Sequence, residues 1–378
     1  MSRPVVAVDA RYGLRSPRRG IGEYVYRVFQ ALADIPRGYD VVLYGDACAD
    51  PEVVREFRSA YPVRLLAARP FAVWEQVAWP RAARADGATV IHGTANIGPL
   101  SWSGAMVLTV HDVIEWHRGR DFPAEIPWRH HVSRFYRMNA LQRLIRTSAL
   151  IFTVSEHARQ DMMETLGVDA DRVRVTRLAA KTAGNSPYYA KEPYFLALGA
   201  LDPRKNLAGV LAAFARRTVS NVQLYVVGLE PAAMPQARQM VRSLGMEGVV
   251  KLSSMVADGD LVDCYRRALG LIYLSLYEGF GLPVLEAMAL GCPVIASNRT
   301  AIPEVAGDAA ILVDPHDDVA AALAIDRLAS DAEFRMDCIE NGGKRAAAFS
   351  WSRTAEGTDQ GYAWVLAQPV RKRAWFRS

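Results

Sequence analysis

The feature that most limits what this chain can fold into is a rhythm of short apolar, β-branched runs set between longer amphipathic stretches. The runs fall at residues 5–8, 41–44, 90–92, 106–110 and 149–154, and again at 194–199, 222–228, 249–252, 270–275, 293–296 and 310–313. A strand apolar on both alternating faces has no side to offer to water, so it belongs in a sheet covered above and below. Helices between successive strands make that sheet parallel. The pattern predicts an α/β protein of two Rossmann-like units. Between the two sets lies 182–193, TAGNSPYYAKEP, which has neither period and is rich in turn formers; it reads as an interdomain linker. The predicted domains are residues 1–186 and 187–354. Ligands of parallel sheets bind beyond the carboxyl ends of the strands, so functional residues are expected just after each run, and the cleft between the domains is the expected site.

With 378 residues, 51% of them hydrophobic, the chain has material for two cores. Neither a signal-peptide core nor an apolar run of membrane-spanning length is present, which predicts a cytosolic protein. Cys48, Cys264, Cys292 and Cys338 lie far apart without a CxxC pair. They indicate neither a zinc site nor a disulfide framework and are expected to be buried thiols. The net charge of +5 is unevenly spread: residues 1–186 hold 25 cations against 19 anions, whereas 187–378 hold 20 against 21. Within the basic half, 132–147 (VSRFYRMNALQRLIRT) carries Arg134, Arg137, Arg143 and Arg146 and no acid. The tail RKRAWFRS alternates Arg371, Lys372, Arg373 and Arg377 with Trp375 and Phe376. Both suit an anionic membrane surface as well as a solvated face, so a peripheral place on the cytoplasmic membrane face is an expectation. No nucleic-acid recognition motif accompanies the charge.

The most informative stretch is YEGFGLPVLEAMALG. The run before it is a buried strand, its exit loop holds Glu278 and two glycines, and Pro283 suits the first turn of a helix over 283–290 that stops at Gly291. Glu286 then lies near the first turn, where it either complements the helix dipole or meets a ligand. The amides of Phe280, Gly281 and Leu282, in front of a helix N-terminus, suit ligand oxygens. A second strand exit, GALDPRKN, places Arg204 and Lys205 at one rim, a fork donor and a point charge suited to a diphosphate. RGIGEY has GxG without the third glycine of a dinucleotide fingerprint, yet Gly20 and Gly22 would let main-chain amides approach an anion. His111, one residue beyond an apolar strand in LTVHDV, suits a ligand hydroxyl or phosphate. His92 is a weaker candidate of the same kind, and Thr153, Ser155 and Glu156 read as a strand end and helix cap. No GxSxG, HExxH or Walker pattern occurs.

Taken together, these elements resemble the retaining GT-B glycosyltransferases of family four, which include bacterial polysaccharide and lipopolysaccharide mannosyltransferases. The resemblance rests on the E-x7-E element from Glu278 to Glu286 and on PRKN. It extends to RGIGEY, HDV, TVSEHAR, GCPVIAS and FSWSRTAEG. It implies two Rossmann-like domains facing across a cleft, with a C-terminal helix, at about 355–378, returning to the first domain. It further implies that Glu286 binds the ribose of a nucleoside-diphosphate sugar, that Glu278 and the amides of residues 280–282 hold the sugar, and that Arg204 and Lys205 grip the diphosphate. Amides near Gly22 would approach the diphosphate, His111 would touch the sugar near the reacting carbon, and Met255 and Val256 would meet the base.

Many members carry Arg directly after the glycine that ends the first strand of the second domain, where this chain has Ala200. No carboxylate is identified for a covalent intermediate; the family picture has the leaving phosphate take the acceptor's proton on the same face. It calls for no metal or cofactor beyond the donor, and DGD at 258–260 lies in the base-side loop. Similarity of DARYGLRSPRRGIGEY and VWEQVAWP to one subgroup favours mannose from GDP-mannose, passed to a glycan or lipid-linked saccharide. Glucosyl, galactosyl or rhamnosyl transfer from a UDP- or dTDP-sugar is the alternative, ahead of a nucleotide-sugar 2-epimerase or an inactive scaffold.

Overall fold

The computed structural model describes residues 3–18, 20–119, 131–182, 189–199, 202–254 and 258–368. Thirteen strands form two wholly parallel sheets among these residues. The first holds β1 (Val5–Asp9), β2 (Asp40–Gly45), β3 (Val63–Leu65), β4 (Ala88–Gly93), β5 (Ala105–Thr109), β6 (Leu150–Thr153) and β7 (Val173–Val175), in the order β3-β2-β1-β4-β5-β6-β7. The second holds β8 (Tyr194–Leu198), β9 (Gln223–Val227), β10 (Val250–Leu252), β11 (Gly270–Tyr273), β12 (Val294–Ser297) and β13 (Ile311–Val313), in the order β10-β9-β8-β11-β12-β13. Central strands are buried along their length, as Val6, Ala7 and Val8 of β1 and Leu271 and Ile272 of β11 show.

Strand order reverses at β1/β4 in one sheet and at β8/β11 in the other. At such a switch point the loops diverge and leave a crevice. Two edge strands, β3 and β7, are absent from the sequence reading. Each is three residues long with an arginine in the middle, Arg64 and Arg174, so neither shows the apolar run by which a central strand is recognised.

The residues divide into two compact units. Those up to Glu115, from 131 to Leu178 and from Ser350 to 368 make the first; those of 116–119 and from Ala179 to Phe349 make the second. The C-terminal helix Trp351–Ala367, capped by Ser350, thus packs in the first unit. Its Tyr362 is fully buried with its hydroxyl on His92 Nδ1, and a side chain at Gly361 would come within 2.3 Å of the Phe152 ring. The linker expected over 182–193 is only partly a linker. Lys191 Nζ donates to the carbonyls of Arg266 and Gly291, both at 2.7 Å, so this end docks on the second unit. The cysteines also depart from expectation: Cys292 is buried, but Cys264 and Cys338 are half-buried and Cys48 is exposed in the turn after β2.

Candidate active site

The β8/β11 switch point is built from its loops inward. After β8, Asp202 caps a single turn of 3-10 helix, Pro203–Lys205, by accepting from the Arg204 amide at 3.2 Å. Asn206 follows at φ 52, a left-handed conformation that asparagine tolerates better than most side chains. Its Oδ1 caps the helix Leu207–Arg216 through the Gly209 amide, while its Nδ2 donates to the carbonyls of Leu274 and Pro315. The four residues of PRKN therefore divide the work. The proline and asparagine aim the loop, and the two cations are what it aims.

They are aimed at Glu278. This carboxylate, 7% exposed, accepts at Oε1 from Lys205 Nζ (2.6 Å), Tyr273 Oη (2.7 Å) and Ser275 Oγ (2.6 Å), and at Oε2 from Arg204 Nη1 (3.0 Å). Its main chain is clamped from the β12 exit, with its amide on Thr300 Oγ1 and its carbonyl accepting from the Ala301 amide. Thr300 sits at φ 56, which is strained for a β-branched residue. Burial pushes the Glu278 carboxyl up, but Lys205, Arg204 and the hydrogen bonds from Lys205 and Ser275 outweigh it and hold the pKa at about 2. The pair is not symmetrical: burial lowers Lys205, and Glu278 offsets this only in part.

Beyond Glu278, Gly281 at φ 101 opens the helix Leu282–Ala289, in which Pro283 has no N–H and the Val284 amide donates to the Gly281 carbonyl at 3.0 Å. The Phe280 ring is buried and packs edge-on against Phe349, so its side chain is taken up by the core. The helix starts at Leu282, one residue before the expected position. Glu286 is therefore its fifth residue and not a first-turn acid, and the dipole account of it falls away. A residue the sequence does not flag stands near it: Tyr265 is fully buried, its hydroxyl has no hydrogen-bond partner among the described residues, and burial, helped by the charge of Glu286, raises its pKa.

The other candidates lie in the first unit. Gly20, at φ 47, precedes the helix Ile21–Leu32, and a side chain on Gly22 would meet the Tyr12 carbonyl at 2.9 Å. Gly22 is thus required by packing on the turn after β1, independently of any ligand. Tyr24 of that helix sets its ring edge-on against His111 at 4.9 Å. His111 is buried and bonds through Nε2 to the Thr94 carbonyl at 2.9 Å. A carbonyl only accepts, so Nε2 carries the proton and Nδ1 is an acceptor. Burial lowers the pKa to about 4, leaving a neutral imidazole that suits a hydroxyl donor and not a phosphate. Asn96, in the left-handed region at φ 59, fixes this exit by accepting from the His111 amide and donating to the Asp112 carbonyl. His92 is structural, held between Tyr362 and Thr109. Ser155 caps the helix Glu156–Leu166 as expected.

Within VWEQVAWP, Trp74–Ala78 is a π-helical turn between two short α-helices, a geometry often found at functional sites. It buries Glu75 near the Asp9–Arg11 ion pair, with Arg11 over the Trp74 ring at 3.6 Å. Burial, partly opposed by Arg11, raises Glu75 to about 7.

The basic helix expected over 132–147 is present as His131–Thr147. It buries Leu141, Leu144 and Ile145 and exposes Phe135 by 72% and Tyr136 by 44%. Its arginines are less uniform than the sequence suggests, because Glu115 of the short helix Ile114–His117 lies 3.0 Å from Arg134 and 3.9 Å from Arg137. Arg143 and Arg146 are exposed. Among the described residues no helix is long and apolar enough to cross a membrane. Met255 and Val256, like the basic tail from Arg371 to Arg377, lie outside the described residues. The structure thus joins Arg204, Lys205 and Glu278 directly and sets residues 280–286 beside them, while His111, Gly20 and Gly22 belong to the other unit.

Residues 18–178 match the family model described as Glycosyltransferase Family 4, and 181–345 match that of glycosyl transferases group 1. The O-antigen chain mannosyltransferase B of Escherichia coli is 32% identical over 246 residues, covering 60% of this chain and 64% of that protein. The MMP alpha-(1->4)-mannosyltransferase of Mycolicibacterium hassiacum is 32% identical over 273 residues, covering 70% and 66%. Each match thus spans just under two thirds of the relative. Among solved structures, Anabaena Alr3699/HepE in complex with UDP-glucose superposes with a TM-score of 0.69 at 17% identity, covering 96% of this chain and 100% of that one. The two parallel sheets with their flanking helices are the GT-B fold.

Proposed function

The chain belongs to the glycosyltransferases of group 1 and family 4, and from that premise we propose that it moves a hexose, mannose from GDP-mannose, onto a glycan or lipid-linked saccharide in bacterial surface polysaccharide synthesis. The observation that carries the reading is the cluster at the β8/β11 switch point, where Arg204 and Lys205 converge on Glu278 beside the helix that opens at Gly281. In this reading Arg204 and Lys205 hold the donor diphosphate, Glu278 and the amides of residues 280–282 hold the sugar, and Glu286 holds the ribose. His111, with its acceptor nitrogen, takes a hydroxyl of the transferred sugar. Gly20, Gly22, Met255 and Val256 keep the roles implied by the family resemblance.

The proposed reaction retains configuration. The bond from the anomeric carbon to the leaving phosphate breaks and the bond to the acceptor oxygen forms on the same face, while the acceptor's proton passes to a phosphate oxygen. Positioning and the two cations stabilise the departing diphosphate, and the positive charge comes from side chains without a metal ion. Two mannosyltransferases among the relatives favour mannose. The UDP-glucose complex of a structural neighbour keeps a glucosyl donor as the second reading. The exposed Phe135 and Tyr136, on the same helix as the exposed Arg143 and Arg146, support a peripheral place on the cytoplasmic membrane face, where lipid-linked acceptors reside.

The test is a panel of nucleotide sugars scored for nucleoside diphosphate release, with product configuration read by NMR. Lys205→Ala is expected to lower kcat/KM by roughly a hundredfold, and Glu286→Ala to act mainly through KM, by about tenfold. The reading fails if no nucleotide sugar is turned over, or if both variants behave as wild type.

A further inference from the structure

Two residues from outside every sequence motif close on the PRKN loop. The His117 ring lies 4.9 Å from that of Tyr277. Next to it, Arg118 Nη2 is 3.0 Å from Asp202 Oδ2, the same oxygen that accepts from Arg204 Nε at 3.1 Å. With Arg204 and Lys205 both on Glu278, five charges form one continuous chain: Arg118, Asp202, Arg204, Glu278, Lys205. The Arg118 and Asp202 side chains are 17% and 26% exposed and those of Arg204 and Lys205 25% and 18%, so water screens the chain only in part.

Among the described residues of this cluster, three cations against two anions leave a net charge of +1; without Arg118 the count is zero, and Arg204, already on both Asp202 and Glu278, loses its partner on Asp202. A neutral loop offers a diphosphate little attraction, and an arginine held by two carboxylates turns toward a phosphate less readily than one whose first carboxylate is already neutralised.

We propose that Arg118 is a positioning residue for the donor diphosphate: by taking the Asp202 carboxylate it gives the loop its net positive charge and leaves Arg204 to exchange Glu278 for a phosphate oxygen. This rests on the donor-site reading above.

The experiment is calorimetric titration of GDP, UDP and inorganic pyrophosphate into wild type, Arg118→Ala, Arg118→Lys, Asp202→Asn and the Arg118→Ala/Asp202→Asn pair. Asparagine still caps the 3-10 turn, so the loop is preserved. Arg118→Ala is expected to weaken the nucleoside diphosphate that wild type binds by roughly tenfold, the effect of one unit charge about 8 Å away at an effective dielectric of about 30. Removing Asp202 as well is expected to restore affinity to within about threefold, a rescue that a purely structural arginine does not produce, and Arg118→Lys should retain most of it. The proposal is overturned if wild type binds a diphosphate and Arg118→Ala binds it equally, or if the pair is as weak as the single variant. If wild type binds neither GDP nor UDP, the donor-site reading falls first and this inference with it.

Discussion

Glu278 accepts from four side chains at the proposed donor site. Its carboxyl is held at about 2 against an ordinary value of 4.5, so the folded state binds its proton less readily than the unfolded chain. Its contribution is complete above pH 4.5 and lost as pH falls toward 2. Because burial lowers Lys205, the pair stabilises less than Glu278 taken alone would suggest. Glu278→Gln leaves two partly buried cations short of a counter-charge. It is expected to destabilise the protein by about 2–3 kcal/mol at pH 7 and to flatten the loss of stability between pH 4.5 and 3, as read by urea denaturation at each pH. An unaltered acid limb would show that the carboxylate is not what titrates there. The sequence made Glu278, Arg204 and Lys205 legible as separate candidates at two strand exits. It did not reveal that they bond to one another, because a contact 74 residues apart leaves no local trace. Thr300 was equally illegible, since a β-branched residue gives no warning of a left-handed backbone.

Among the elements, the π-helical turn Trp74–Ala78 makes the sharpest prediction. Glu75 is raised to about 7, so the folded state takes up its proton more readily than the unfolded chain, and stability falls as pH climbs from 4.5 through 7. Glu75→Gln removes the cost of ionising a buried acid. It is expected to raise stability at pH 8 by roughly 1–3 kcal/mol and to leave it nearly unchanged at pH 5. Thermal melts at the two pH values decide it, and an equal shift at both would count against the assignment. Long elements were readable, the helix ending at Thr147 from its own stretch of sequence and the one ending at Ala367 from the family resemblance. Short ones were not. Strands β3 and β7 carry an arginine where a central strand carries valine, and the three-residue turn that aims Arg204 depends on Asp202 and Asn206 bonding to main chain.

At the scale of the whole molecule, the parallel α/β architecture was legible because buried strands announce themselves twice over, by apolar runs and by helical stretches between them. Chain reversals that break sequence order were not. Residues 116–119 leave the first unit and dock beside Asp202 and Tyr277, carrying Arg118 with them. For the surface, flotation with liposomes containing anionic lipid should carry the wild-type chain. Replacing Phe135 and Tyr136 by serine and Arg143 and Arg146 by glutamine should reduce the floated fraction several-fold while leaving turnover of a water-soluble acceptor intact. Equal flotation would remove this helix from the membrane reading.

The bonding around Glu278 has one more consequence, on the donor reading proposed here. A cell holds free phosphate and nucleotides in abundance, and an open pair of cations would collect them. Here an incoming anion must displace a carboxylate already satisfied by four donors. Orthophosphate has a single point of contact with which to offset that loss. A nucleotide sugar has three, at diphosphate, ribose and hexose, and so the resting bonds act as a threshold that screens ligands by how many ends they can fasten at once.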